Sequence, residues 1–263
     1  MTRREYLTAM AYSLTPSFRA APLQVPGLVA FWDFQQPAGE ARLSQGPHRY
    51  ALQESAGPVQ RVEGGVFGPY AARLGPGQWL SARRATVPAL DLHGPDAQVS
   101  VVAWLKREHK AKPTECEAVA GMWLETGKCR QYCLFLNLRI FNSADQVCGH
   151  VSSIGGPTPG HPWCMDASIG QTAVPFDQWQ CAAFSYDGQF ARSYLNGRLD
   201  TRPDRNPYPY PGGLFAAGDN GADFTVGAVH RSGEMGNFFQ GLLGGLAVFS
   251  RALTAQEMES LSK

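Results

Sequence analysis

The sequence predicts an all-β fold, a two-sheet antiparallel sandwich ending in one short helix, and two observations carry that expectation. The first is the stretch from Trp179 to Gly197, WQCAAFSYDGQFARSYLNG, whose period-two alternation puts Ala182, Phe184 and Tyr186 on one face. Within it, Asp187-Gly188 and then Asn196-Gly197 are dipeptides suited to the positive φ of tight hairpin turns. A β-meander follows. The second observation is that 29 glycines and 19 prolines punctuate short apolar runs instead of gathering in a tail. The 263 residues show no linker, so one large sandwich holds the chain: an arm over residues 1–26, then a domain over residues 27–263.

Residues 28–34 alternate around Trp32 and Asp33 and make the first strand, entered from Pro26-Gly27. Short strands follow at residues 48–54, 59–62, 71–74 and 78–82, parted by Gly64-Gly65, Gly68-Pro69 and Gly75-Pro76-Gly77. Residues 99–106, VSVVAWLK, form a longer strand with Val99, Val101, Ala103 and Leu105 on one face and Trp104 on the other. Residues 118–124, 132–140 and 146–154 continue the pattern. Residues 152–178 and 200–223 then break it: they are long, rich in Gly and Pro, and aperiodic. Structureless connections beyond about 12–15 residues are uncommon unless functional or disordered, which makes these two segments the prime candidates for function. Strands at residues 224–229 and 242–249 complete the sheets, and Thr254-x-x-Glu257 is a capping box that opens a helix to Leu261.

With 23 basic and 22 acidic side chains the formal charge is +1, so no net field draws the chain to nucleic acid. The most apolar run, residues 238–249, is broken by Gln240 and glycines and is too short to cross a bilayer. Thr2-Arg3-Arg4-Glu5-Tyr6-Leu7 resembles a twin-arginine export motif and precedes a mildly apolar stretch, although Pro16 and Arg19 interrupt it. Export implies a periplasmic or extracellular location; an irregular arm implies a cytoplasmic one. All six cysteines fall between Cys116 and Cys181. Disulfides, a zinc site from Cys148-x-His150 and His161-x-x-Cys164, and buried free thiols are the three readings.

Four segments together resemble a family: LVAFWDF at Leu28, VSVVAWLKR at Val99, WQCAAFSYDGQFARSYLNGRL at Trp179, and FTVGAVHRSGEMGNFFQGLLGGLAVFSRALTAQEM at Phe224. They occur in the order seen in laminin G-like jelly-roll domains of the concanavalin A-like lectin and glucanase superfamily. The resemblance implies jelly-roll topology, recognition of carbohydrate or protein surfaces, and a structural calcium. Glucanases of that superfamily carry a Glu-x-Asp-x-x-Glu strand motif, and retaining hydrolysis needs two carboxylates about 5–5.5 Å apart. Here only Glu115 and Glu117, in ECEAVA, make an i, i+2 acidic pair in a strand-like context, with no Asp between them. Nucleophile-elbow, P-loop and His-Glu-x-x-His motifs are absent as well.

A noncatalytic, lectin-like module is therefore the expected function. The alternatives are a polysaccharide hydrolase or lyase using Glu115 and Glu117, and a protein-interaction or assembly domain. Sugar binding calls for an aromatic plane beside amides, carboxylates and guanidinium groups. The two long segments supply them: His161, Trp163 and Asp166 in the first; Asp204, Arg205, Asn206, Tyr208, Tyr210, Asp219, Asn220 and Asp223 in the second; and His150 on the preceding strand. Tyr208 and Tyr210 are equally read as lids packed on the sandwich edge, and His150 as a satisfied structural histidine. Asp219, Asn220 and Asp223 are the densest oxygen set for calcium, in a turn-forming context that itself favours Asn and Asp.

Overall fold

A computed structural model describes residues 21–263. The twin-arginine-like residues Thr2 to Leu7 lie outside the described residues. The chain enters through a short helix, α1 (Ala21–Gln24), and then β1 (Leu28–Trp32), β2 (Arg42–Leu43), β3 (Ala51–Ser55), β4 (Gln60–Glu63), β5 (Tyr70–Leu74) and β6 (Trp79–Ala82). Long strands follow: β7 (Val99–Arg107), β8 (Glu117–Leu124), β9 (Cys129–Leu136), β10 (Gln146–Val151), β11 (Ala167–Ala173), β12 (Gln180–Tyr186) and β13 (Phe190–Leu195). The rest are β14 (Arg198–Leu199), β15 (Tyr208–Pro209), β16 (Phe224–Val226), β17 (Val229–Arg231), β18 (Glu234–Gly236), β19 (Gly241–Phe249) and helix α2 (Ala255–Leu261).

Two sheets stack as the predicted jelly-roll-like sandwich. The first runs β14-β13-β12-β7-β19-β5-β4, with β1 on β19 and β15 on β13. The second runs β11-β10-β9-β8-β16-β6-β3-β2, with the β17-β18 hairpin beside β8. The period-two pattern sets what meets between them: Val99, Val101, Ala103 and Leu105 of β7 face Tyr132, Leu134 and Leu136 of β9 in one core, with Trp32 stacked on Phe224 at 5.6 Å. The β12-β13-β14 meander is present, and Asn196 and Gly197 have φ of 50° and 74°, the two positive values a type I′ turn requires. A Cβ on Gly197 would lie 2.8 Å from the Met258 carbonyl, so this turn also seats α2.

Helix α2 covers part of the outer face of the first sheet. Met258 and Leu261 of α2 pack with Val102, Trp104 and Tyr194, and Trp104 Nε1 donates to the Leu261 carbonyl at 3.1 Å. Thr254 caps α2 in the expected reciprocal box with Glu257. The outer face of the second sheet is only partly covered, and the groove lies there. Among the described residues no helix is long and apolar enough to cross a membrane.

Four expectations change. The strand expected over residues 224–229 ends at Val226, where Gly227 at φ 86° turns the chain into β17. Residues 167–173 lie inside the first long segment but form edge strand β11, paired to β10; its second half is exposed, which blurs the alternation. Residues 208–209 pair with β13 and pull the second long segment onto that edge. The strand expected over residues 132–140 stops at Leu136, because Asn137, Arg139, Phe141 and Asn142 all adopt φ between 52° and 58°.

Candidate functional site

The floor of the groove is built from the outward-facing side chains of β8, β9 and β10. Cys133 of β9 pairs with His150 of β10, and Phe135 with Cys148, so these alternate residues share the outer face. In β8 the register shifts between Ala118 and Ala120, so Ala118 points outward while Val119, Ala120 and Met122 all enter the central core. Trp123 then emerges on the groove side. Its ring lies 4.8 Å from His150 and 6.0 Å from Phe135, and its Nε1 donates to Glu125 Oε1 at 3.3 Å.

His150 is buried, with Nδ1 bonded to the Asp166 carbonyl at 3.0 Å. Desolvation pushes its pKa down to about 4, with Arg130 adding to the effect and the carbonyl opposing it. The ring is therefore neutral at pH 7. Donation through Nδ1 leaves Nε2 as a bare acceptor at the groove.

The rim is polar and aromatic. Trp163 is 55% exposed and shares a cavity of about 270 Å³ with His150, Trp123, Arg139, Arg231 and Asn237. Arg231 Nη1 donates to Asn237 Oδ1 at 2.7 Å, and Arg139 Nε donates to Asn137 Oδ1 at 2.9 Å. The cavity therefore presents indole faces beside guanidinium, amide and carboxylate groups already held in place.

The sequence-predicted residues divide between groove and brace. His150 and Trp163 meet at the groove, whereas residues 202–210 of the second long segment work from behind. Tyr208 donates to Asp166 Oδ1 at 3.0 Å, and Thr158 donates to Asp166 Oδ2 at 2.6 Å, which fixes the loop carrying Trp163. Burial, and then the Asp166 carboxylate, raise the Tyr208 pKa, so the hydroxyl stays a donor. The Tyr210 hydroxyl accepts from the Ser153 amide at 2.8 Å. Arg205 lies 3.3 Å over the Phe141 ring, and Arg202 Nη2 donates to the Phe141 carbonyl at 2.8 Å; together they hold the positive-φ rim. Asn206 is buried and bonds Ser193 from both ends of its amide. His161 and Asp204 are exposed outside the cavity.

The two candidate acids sit in different surroundings. Glu117 is buried, and both its oxygens accept from Arg107, at 3.1 and 2.8 Å; Glu115 is half-buried beyond the strand's start. Asp219 and Asn220 are exposed on the 3-10 turn Gly218–Asn220, and Asp223 Oδ1 accepts from the Arg84 amide at 2.8 Å. That leaves the set short of the roughly 6–8 oxygen ligands of calcium. Among the described residues no group of three or more His, Cys, Asp or Glu could hold a metal, and all six cysteines are free.

Sequence reasoning missed Trp123, Phe135, Arg139, Arg231 and Asn237. Phe135 was readable, since Tyr132, Leu134 and Leu136 claim the opposite parity. The others depend on a bulge and on positive-φ loop geometry.

A laminin G family model, described as the concanavalin A-like lectin/glucanases superfamily, matches residues 81–259. No curated protein matches significantly. Domain 4 of AbnA, an extracellular GH43 arabinanase from Geobacillus stearothermophilus solved with arabinotriose, is similar with TM-score 0.57 and 17% identity, over 90% of this chain and 98% of that one. A Trypanosoma rangeli sialidase mutant displaying trans-sialidase activity has TM-score 0.58 and 13% identity, over 91% of this chain and 33% of that one. The binding domain of Botulinum neurotoxin DC, solved with rat synaptotagmin II, has TM-score 0.55 and 7% identity, over 90% and 51%. At these identities the likeness is one of fold. The family match spans most of the chain: this protein belongs to the concanavalin A-like lectin/glucanases superfamily.

Proposed function

We propose that the chain is a noncatalytic glycan-recognition module that binds sugar on the outer face of its second sheet. The observation that supports this reading is Trp163, a large apolar plane 55% exposed at the mouth of a cavity that also holds the neutral His150 and the Arg231-Asn237 pair. Such a plane takes the apolar face of a sugar ring, and fixed donors and acceptors around it take the hydroxyls. The arabinotriose complex of the AbnA domain is in keeping with this reading.

Binding to a broad glycan and polysaccharide panel tests it. The parent should bind, and Trp163→Ala should weaken binding about tenfold or more with an unchanged melting temperature, since the side chain is exposed. No binding, or binding indifferent to Trp163, removes the site. Retention of a deglycosylated protein on the same face would replace the glycan with a protein ligand.

Folding requires no calcium in this proposal: EDTA should leave the melting temperature unchanged, and a drop that calcium restores would assign Asp219, Asn220 and Asp223 to a structural ion. Export is proposed on the twin-arginine-like residues, and secretion indifferent to Arg3→Lys with Arg4→Lys would withdraw it.

A further inference from the structure

A second cavity, of about 550 Å³, lies beside the first on the same outer face, and Trp123 lines both. Ser81 and Thr225 lie on its floor. Ser81 of β6, Thr225 of β16 and Gly121 of β8 are register partners across three neighbouring strands. Trp79, two residues from Ser81, and Trp123, two residues from Gly121, stand at opposite ends of that row. Trp79 leans against Phe238 at 6.1 Å, and His230, bonded through Nδ1 to Thr126 at 3.0 Å, closes one side.

Thr225 is the informative residue. Only 8% of it is exposed, yet its hydroxyl oxygen is buried and has no hydrogen-bond partner among the described residues. Backbone ladders on both sides leave its side chain on the groove face. Valine would fill the same space without leaving a polar group unpaired, and a χ1 turn of Thr225, which lines the cavity, would bring the orphan hydroxyl to an outside donor or acceptor. No Lys or Arg lines this cavity, and Asp223 is its sole acid, so the chemistry favours an uncharged, hydroxyl-rich ligand with apolar ring faces.

We infer that this cavity is a second sugar subsite, continuous with the first across Trp123, so that the module takes an extended neutral oligosaccharide instead of one terminal sugar. This rests on the glycan reading of the Trp163 cavity. The ligand lies along the groove with one ring against Trp163 and His150, Trp123 in the middle, and further rings between Trp123 and Trp79, where Thr225 and Ser81 meet a ring hydroxyl.

Calorimetric titration with arabino-, xylo- and cello-oligosaccharides, from disaccharide to hexasaccharide, tests this in the full chain. For the parent, affinity should rise about tenfold or more with length in at least one series. Thr225→Val and Trp79→Ala should abolish that rise and leave disaccharide binding intact, whereas Trp163→Ala should weaken every length. Thr225→Val should also melt about 2–4 °C higher than the parent, because it removes an unsatisfied buried hydroxyl, and this readout shows that the variant is folded. A hexasaccharide that binds no tighter than a disaccharide, or a length effect that survives both variants, overturns the second subsite while the Trp163 site stands. Failure of all three series while an acidic glycan binds on the wider panel overturns the neutral extended ligand. Absence of any glycan binding removes both readings together.

Discussion

Burial ties His150 to the stability of the whole chain as well as to the groove. Its pKa is near 4 in the folded protein against an ordinary 6.5, so between these values the unfolded chain holds a proton that the folded chain lacks. Stability from this residue is fully present above pH 6.5 and is lost as pH falls from 6.5 toward 4, by at most about 3 kcal/mol. Chemical denaturation near pH 7 and near pH 4.5 should show a larger loss for the parent than for His150→Phe; equal losses would detach the residue from the acid sensitivity. In the structure the His150 ring is satisfied at Nδ1, as the structural reading expects, and it also lines the Trp163 cavity. Sequence could place it on a strand. It could not say that Asp166, sixteen positions later, would supply the carbonyl, because that contact depends on how an aperiodic loop returns to β11.

The two long segments differ in their share of the groove, and this is a property of elements. The first presents Trp163; the second, pinned through β15, braces it from behind, and its end at Ala222 and Asp223 lines the second cavity. Asn206 is the pin: its Oδ1 accepts from the Ser193 amide at 2.9 Å, and its Nδ2 donates to the carbonyls of Ser193 and Asp200 at 2.8 and 2.7 Å. Asn206→Ala should leave those buried groups unsatisfied and cost about 2–4 kcal/mol in denaturant unfolding, with panel binding largely retained at temperatures where the variant is folded. An unchanged midpoint would mean that the segment is not held there. Aperiodicity in the sequence marked both segments as unusual but could not separate the part that presents Trp163 from the part that braces it. The signal that separates them is a two-residue pairing, Phe190 with Pro209 and Ala191 with Tyr208, too short to show an alternation. The longer strands β7, β8, β12 and β19 were legible, whereas β11, half of it exposed, and the two- and three-residue strands β2, β15, β17 and β18 were not.

At the scale of the molecule, the buried charge network joins the two sheets. Arg107 ends β7 in the first sheet and Glu117 begins β8 in the second; Arg107 Nη2 also reaches Asp145 Oδ1 at 2.9 Å, and its guanidinium lies 4.2 Å over Phe176. Burial alone would lower the Arg107 pKa, but pairing with Glu117 and then Asp145 outweighs it and raises the value, so the cation persists. An acid committed to such a clamp is a poor general acid or nucleophile, because releasing it for chemistry would strand a charge inside the sandwich. Glu117→Ala should therefore cost about 3–5 kcal/mol in denaturant unfolding, toward the lower end because Asp145 stays with Arg107. Reducing-end assays on polysaccharides should find no turnover in the parent, and hence none to lose in the near-isosteric Glu117→Gln. Turnover in the parent that Glu117→Gln abolishes would reverse the assignment, turning the clamp into a catalytic group and the module into an enzyme. Loss of stability without any turnover leaves Glu117 a strut between sheets, with ligand chemistry confined to the outer face where Trp163, His150 and Trp123 meet.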